Sequence, residues 1–259
     1  MTQEEMLRNV PETLRQIERD YGVKVLFAAE SGSRAWGFAS PDSDYDVRFI
    51  YRRSEDSYLL LEQPRDVIEL PIDDTWDVSG WDLQKALRLL AKSNPSLYEW
   101  FRSPICYWDT GFRERIRPLF EEYYSSRHLF FHYFSMAGNN ARTIAQSETV
   151  KPKSYFYVLR PQLACRWIRE IGTLPPIPFA ELADAMLPEP LRPEIDRLLE
   201  LKINGAEGMR IPHVPAIDRF VDTELSALSD ALKDWPEDAF PGWEKLDRFF
   251  RAELAQTEE

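Results

Sequence analysis

Val23-Lys24-Val25-Leu26-Phe27-Ala28-Ala29-Glu30-Ser31-Gly32-Ser33, followed after a short loop by Asp44-Tyr45-Asp46-Val47-Arg48, is the stretch whose reading decides the fold. The run from Val23 to Glu30 is short, apolar and rich in residues that suit a buried strand. From Asp46 to Arg53, Val47, Phe49 and Tyr51 alternate with Arg48, Ile50 and Arg52, which predicts a second strand. Between them, Gly32, Gly37 and Ser40-Pro41-Asp42-Ser43 read as a loop. Side chains at i and i+2 of a strand share a face, so Asp44 and Asp46 can look into one pocket. Paired carboxylates of this kind suit a hard divalent ion that keeps several waters and shares phosphate oxygens with a substrate. Gly32 permits a sharp turn and close backbone approach, while the Ser33 hydroxyl and exposed amide groups can donate to phosphate oxygens. The pattern therefore predicts a phosphate-binding turn and a metal-binding strand end in one short unit.

Working outward, the opening reads as a helical stretch interrupted near Val10-Pro11, with Asn9 as cap, Pro11 in the first turn and Gly22 after the end. Further strands are predicted at Asp66 to Leu70 and Thr75 to Gly80. Asp82 reads as the cap of a helix from Leu83 to Lys92, and Asn94-Pro95 opens another short helix. Beyond about Pro104 the strand signals stop. Helices are predicted near Phe112 to Tyr124, His128 to Gln146, Ser154 to Ile171, Leu191 to Ile203, Ile217 to Leu232 and Trp243 to Leu254, with the prolines at 175, 176, 178, 188, 190 and 193 marking a loop-rich passage. The class is α+β first, then all α.

The chain has 259 residues and a formal net charge of -12, which argues against a protein wrapped in nucleic acid. Between Phe112 and Glu170, however, ten lysines and arginines stand against five acids, a local balance of +5 that suits a polyphosphate or a nucleic-acid end. No apolar stretch approaches the roughly 18 residues a membrane span needs, and the first residues are acidic, so the expectation is a soluble cytoplasmic protein without a membrane partner. Cys106 and Cys165 lack metal or redox spacing and read as small buried residues. His128 and His132 are four apart but without the glutamate of a zinc-protease motif.

The motif resembles that of the DNA polymerase beta-type nucleotidyltransferase superfamily: an apolar strand, Gly-Ser, about ten residues, then Asp-x-Asp between apolar positions. The longer strings Glu30-Ser31-Gly32-Ser33-Arg34-Ala35-Trp36-Gly37 and Ser43-Asp44-Tyr45-Asp46-Val47-Arg48 are similar to one branch, the YcgL/RlaP group of predicted nucleotidyltransferases or RNA-repair-pathway polymerases. Lys92-Ser93-Asn94-Pro95-Ser96, Lys151-Pro152-Lys153-Ser154-Tyr155-Phe156-Tyr157 and Leu159-Arg160-Pro161 extend the likeness. It implies a small mixed sheet with flanking helices as a catalytic domain, here residues 1–105, and an all-α nucleotide- or substrate-binding lobe, here 106–259. It also implies a third carboxylate on a later strand. Asp77 takes that place, with Glu69, Asp73 and Asp74 as rivals and Asp82 better read as a helix cap.

By this resemblance Asp44, Asp46 and Asp77 are the catalytic residues and the ligands of two magnesium (or manganese) ions. Gly32, Ser33, Arg34, Lys151, Lys153, Tyr155 and Arg160 are the nucleotide-binding candidates. The expected partner is a nucleoside triphosphate, with a nucleic-acid end or a protein side chain as acceptor. A non-catalytic nucleotide-binding module is the alternative from another class. Neither the base nor the oligomeric state is legible.

Overall fold

The computed structural model describes residues 2–71, 76–205 and 208–256. Asp73, Asp74 and Thr75 lie outside these. The chain separates into two compact units. The first comprises residues 1–35, 44–124 and 239–259, and the second 36–43 and 125–238.

The first unit is built on a five-stranded sheet of order β3-β4-β2-β1-β5, formed by β1 (Lys24–Glu30), β2 (Tyr45–Arg52), β3 (Val67–Glu69), β4 (Trp76–Asp82) and β5 (Cys106–Asp109). β1 lies antiparallel between β2 and β5, β3 is antiparallel to β4, and β2 runs parallel to β4 with Asp46 opposite Asp77. The sheet is thus mixed, as expected for an α+β domain. Strand alternation sends Tyr45, Val47, Phe49 and Tyr51 into one core, shared with Met6, Val10, Leu14 and Ile17 of helix α1 (Gln3–Tyr21). On the other face Phe27 stacks on Phe101 of α5 (Pro95–Arg102) at 4.5 Å. Phe101 packs on Phe112 of α6 (Phe112–Glu122), and Phe112 on Phe249 of α12 (Glu244–Leu254). Asp82 caps α4 (Leu83–Leu90) by accepting from the Gln84 amide, and Asn94 caps α5 by accepting from Leu97.

Three expectations are corrected here. No break occurs at Pro11: a reciprocal Thr2/Glu5 capping box starts α1, Asn9 lies inside it, and the buried stripe outweighs the one backbone bond that a proline forfeits. Strand formation does not stop at Pro104, because Cys106–Asp109 pairs with β1. The helical unit is also not simply everything after residue 105. Residues 106–124 and 239–259 group with the sheet, where Arg115 of α6 makes a bidentate bridge to the buried Glu253 of α12, at 2.7 and 2.9 Å.

The second unit contains α7 (Ser126–Ala145), α8 (Pro152–Ile171), α9 (Phe179–Met186), α10 (Arg192–Asn204) and α11 (Pro215–Lys233). The passage read as loop holds α9, framed by prolines that cannot continue it. α8 is the hub, burying Tyr155, Phe156, Leu159 and Leu163. Residues 36–43 belong to this unit: the Phe179 amide donates to the Trp36 carbonyl, and Phe38 packs on Phe156 and Phe179. Lys202 of α10 donates to Ser40 and Ser43.

The β2/β4 pairing gives the fold's most sensitive point. A Cβ added at Gly80 would lie 2.2 Å from the buried ring of Phe49, its register partner. Gly80→Ala is therefore expected to lower stability by about 1–3 kcal/mol, read from urea unfolding. Phe49→Leu should recover part of that loss in a double-mutant cycle, and simple additivity of the two changes would show that the ring is not the cause.

Candidate active site

The site forms where β1 ends and β2 begins. β1 runs into one helical turn, α2 (Gly32–Ala35), and Gly32 holds φ +60°, a conformation glycine adopts without strain. Space makes a stronger demand than torsion. A Cβ at Gly32 would stand 2.0 Å from Oδ2 of Asp46, so only glycine lets the aspartate lie against the turn. The backbone is fixed from both sides: the Ser31 amide donates to the Asp46 carbonyl at 2.8 Å, and the Asp46 amide donates to Oε1 of Glu30 at 2.8 Å. The Gly-Ser turn and the acidic strand are thus one hydrogen-bonded unit.

Parallel register brings Asp77 beside Asp46, and Arg48 lies between them. Its Nη2 donates to Oδ1 of Asp46 at 2.9 Å and to Oδ2 of Asp77 at 2.6 Å, while Nη1 donates to the Asp77 carbonyl at 2.7 Å. Burial raises the Asp46 carboxyl above its ordinary value; Arg48 opposes that shift, and the charges of Asp77 and Asp44 add to it. Asp44 itself is exposed, just ahead of β2. Arg34 stacks on the Tyr45 ring at 3.6 Å and donates through Nε to the Asp44 carbonyl.

Glu30 and Arg48 were not among the expected site residues. Arg48 had a signal, since alternation places it on the face of Asp46. Glu30 had none, because it ends an apolar run as a surface acid would. In the fold it is fully buried, accepts from Tyr107 of β5 and from the Asp46 amide, and burial pushes its carboxyl up to about 7.

The sheet therefore gathers Gly32, Ser33, Arg34, Asp44, Asp46 and Asp77. Lys151, Lys153, Tyr155 and Arg160 belong to the helical unit. Lys151 and Lys153 stand at the N-terminal end of α8. Tyr155 is fully buried, donating to Asp218 and accepting from the Val214 amide. Arg160 is 2 % exposed, with its guanidinium over the Trp36 ring at 4.5 Å. Both are core residues of that unit. Its His213 bridges Asp218 and the Ser147 carbonyl.

Among the described residues, no group of three histidine, cysteine, aspartate or glutamate side chains is assembled as a metal cage. The donor chemistry nonetheless fits a hard divalent ion: two carboxylates converge on one positive charge, here a guanidinium, and the charge of Asp44 acts on Asp46.

Residues 6–252 match the family described as the RNA repair pathway DNA polymerase beta family. An uncharacterized protein YcgL of Bacillus subtilis (strain 168) is 46 % identical over 231 residues, covering 88 % of this chain and 89 % of that relative. Among solved structures, a nucleotidyltransferase-like protein from Exiguobacterium sibiricum 255-15 aligns over 86 % of this chain and 74 % of its own at 12 % identity. The TM-score of that alignment is 0.32.

Glu30 supplies a pH test of the site's framework. Its folded-state value of about 7 lies above the ordinary value of 4.5 for an unburied carboxyl. Between those values the folded chain holds a proton that the unfolded chain has released, so this contribution to stability is complete at low pH and is lost as pH rises toward 7. The loss is on the order of 3 kcal/mol at about 1.4 kcal/mol per unit. Glu30→Gln, which imitates the protonated acid, should flatten that fall in urea titrations from pH 4.5 to 8, and parallel curves for the two proteins would contradict the assignment.

Proposed function

We propose that this chain, which belongs to the RNA repair pathway DNA polymerase beta family, transfers a nucleoside monophosphate from a nucleoside triphosphate to a hydroxyl at an RNA end. The nucleotidyltransferase reading is carried by one observation: Asp46 is seated against Gly32 and paired with Asp77 through Arg48, so the turn and both acids form one rigid cluster. The RNA acceptor follows the family's description.

In this reading the amide groups of the Gly32–Ala35 turn and the Ser33 hydroxyl bind the β and γ phosphates, and Arg34 neutralises part of their charge. Asp46 and Asp77, with Asp44 beside them, would hold magnesium or manganese, two ions being expected. When bound, these supply charge to the attacking and leaving oxygens. The acceptor oxygen forms a bond to the α-phosphorus, the bond from that phosphorus to the bridging oxygen breaks, and pyrophosphate departs with the electron pair. Asp77 takes the acceptor proton. Arg48 holds the carboxylates of Asp46 and Asp77 at fixed separation before substrate arrives, which reduces the reorganisation needed at the moment of transfer. Lys151 and Lys153, at the N-terminal end of α8, are proposed as phosphate contacts of the helical unit itself. Tyr155 and Arg160 are assigned to support of α8, because burial and core contacts already engage them.

The test is transfer of label from α-labelled triphosphates with magnesium onto RNA, DNA and protein acceptors. Asp46→Asn and Asp77→Asn are each expected to lower the rate at least about 100-fold, with folding unchanged by circular dichroism. Label on protein alone would move the acceptor to a side chain. An Asp44→Ala/Asp46→Ala double variant as active as the parent would end the catalytic reading.

A further inference from the structure

At the far end of the same strands lies a second concave site whose chemistry differs from the first. Register pairs Lys24 with Arg52 at this end and Glu30 with Val47 at the other. Six residue steps at ~3.3 Å put the two ends roughly 20 Å apart. The cavity has a volume of about 520 Å³ and is lined by Arg15, Glu18, Arg19, Lys24, Arg52 and Arg53, together with Gly22, Val23 and Ser54. Among the described residues, five cations thus face one carboxylate, on a chain whose formal net charge is -12.

The one acid is already committed. Oε1 of Glu18 accepts from the Val25 amide at 2.9 Å and meets Lys24 at 3.4 Å. Arg53 approaches Asp82 at 3.8 Å and donates to the Arg65 carbonyl. Among the described residues, the contacts of the other three arginines are with neutral groups. Arg15 lies over the Trp108 ring at 5.4 Å, Arg19 donates to the Gln16 side chain, and Arg52 donates to the Gln256 carbonyl. The C-terminus of α1 also points here, but its carbonyls amount to only about half a negative charge. That explains one cation at this end, not five, and among the described residues an excess of about three positive charges is left around one cavity. An uncancelled cluster of this kind is the electrostatic footprint of phosphate groups, with guanidinium forks suited to their oxygens.

We infer that this cavity is a distal anchor for the phosphodiester backbone of the RNA strand. Naming RNA as the ligand rests on the acceptor proposed above, whereas the anionic character of the ligand rests on the cavity alone. The anchor has no means of reading bases: it sets position and affinity while the strand's end is about 20 Å away at the acidic site. It also accounts for how a strongly acidic chain holds a polyanion, through one local concentration of charge.

The test measures affinity for a fluorescent 12-nucleotide RNA by anisotropy, without triphosphate or divalent ion, so its outcome does not depend on transfer chemistry. Arg15 and Arg19 are exposed on α1, and Arg15→Glu/Arg19→Glu is expected to weaken binding at least 10-fold. The slope of log affinity against log salt should shrink by about 1.4, at ~0.7 per phosphate contact on a single strand. Arg15→Gln/Arg19→Gln repeats the measurement without reversing charge and should shift affinity in the same direction by a smaller factor. A control of equal net charge, Arg197→Glu/Arg248→Glu on α10 and α12, should stay within 2-fold of the parent. Equal loss in the control, or full binding by both cavity variants, would overturn the site. Inorganic tripolyphosphate forms the second arm: if it binds in a manner abolished by the cavity variants while RNA does not bind, the anchor for a strand is replaced by a site for free polyphosphate.

Discussion

Much of the sheet unit depends on where the carboxylate of Asp46 is allowed to lie. It occupies the space that any side chain at Gly32 would need, its amide is held by Glu30 and its carbonyl by Ser31. Moving Asp46 would unseat the end of β1, the first turn after it and the start of β2 together. The parallel pairing with β4 extends the same constraint sideways, because the register that packs Gly80 on Phe49 is the register that sets Asp77 beside Asp46. Packing on one face of the sheet and chemistry on the other are fixed by a single alignment of two strands.

Two carboxylates brought this close, partly out of water, would repel strongly, and Arg48 is the internal answer. A guanidinium can serve both acids in a plane, which a lysine ammonium, as a point charge on a flexible stem, does less well. Glu30 handles the same problem differently: wholly buried between Tyr107 and the Asp46 amide, it is relieved by protonation as well as by hydrogen bonds. The acids of this end therefore sit in graded environments, from exposed Asp44 to enclosed Glu30.

The short-range part of this was legible in the sequence. The apolar run, the Gly-Ser turn and Asp44-x-Asp46 lie within two dozen residues, and alternation along β2 assigns the faces of Asp46 and Arg48, while Asp44 falls just ahead of the strand. Long-range contributions were not. Glu30 owes its burial to Tyr107, 77 residues away, and the strand carrying Tyr107 is only four residues long, too short to display a period. Pro11 misled because a local rule was outweighed by a buried stripe that only tertiary packing rewards. Tyr155 and Arg160 entered as nucleotide-binding candidates through the family resemblance, which carries no information on burial. α8 is buried on nearly every side, so their polar ends found partners within the protein instead.

Residues 36–43 lie between the Gly-Ser turn and the acidic strand, yet they group with the helices, and the chain returns to the sheet unit once more after residue 238. The polypeptide consequently changes unit four times. No single cut in the gene can release either unit whole, and a recombination event with one breakpoint cannot exchange one for another. The pair is inherited as a block, so the helical unit changes by substitution within it rather than by exchange.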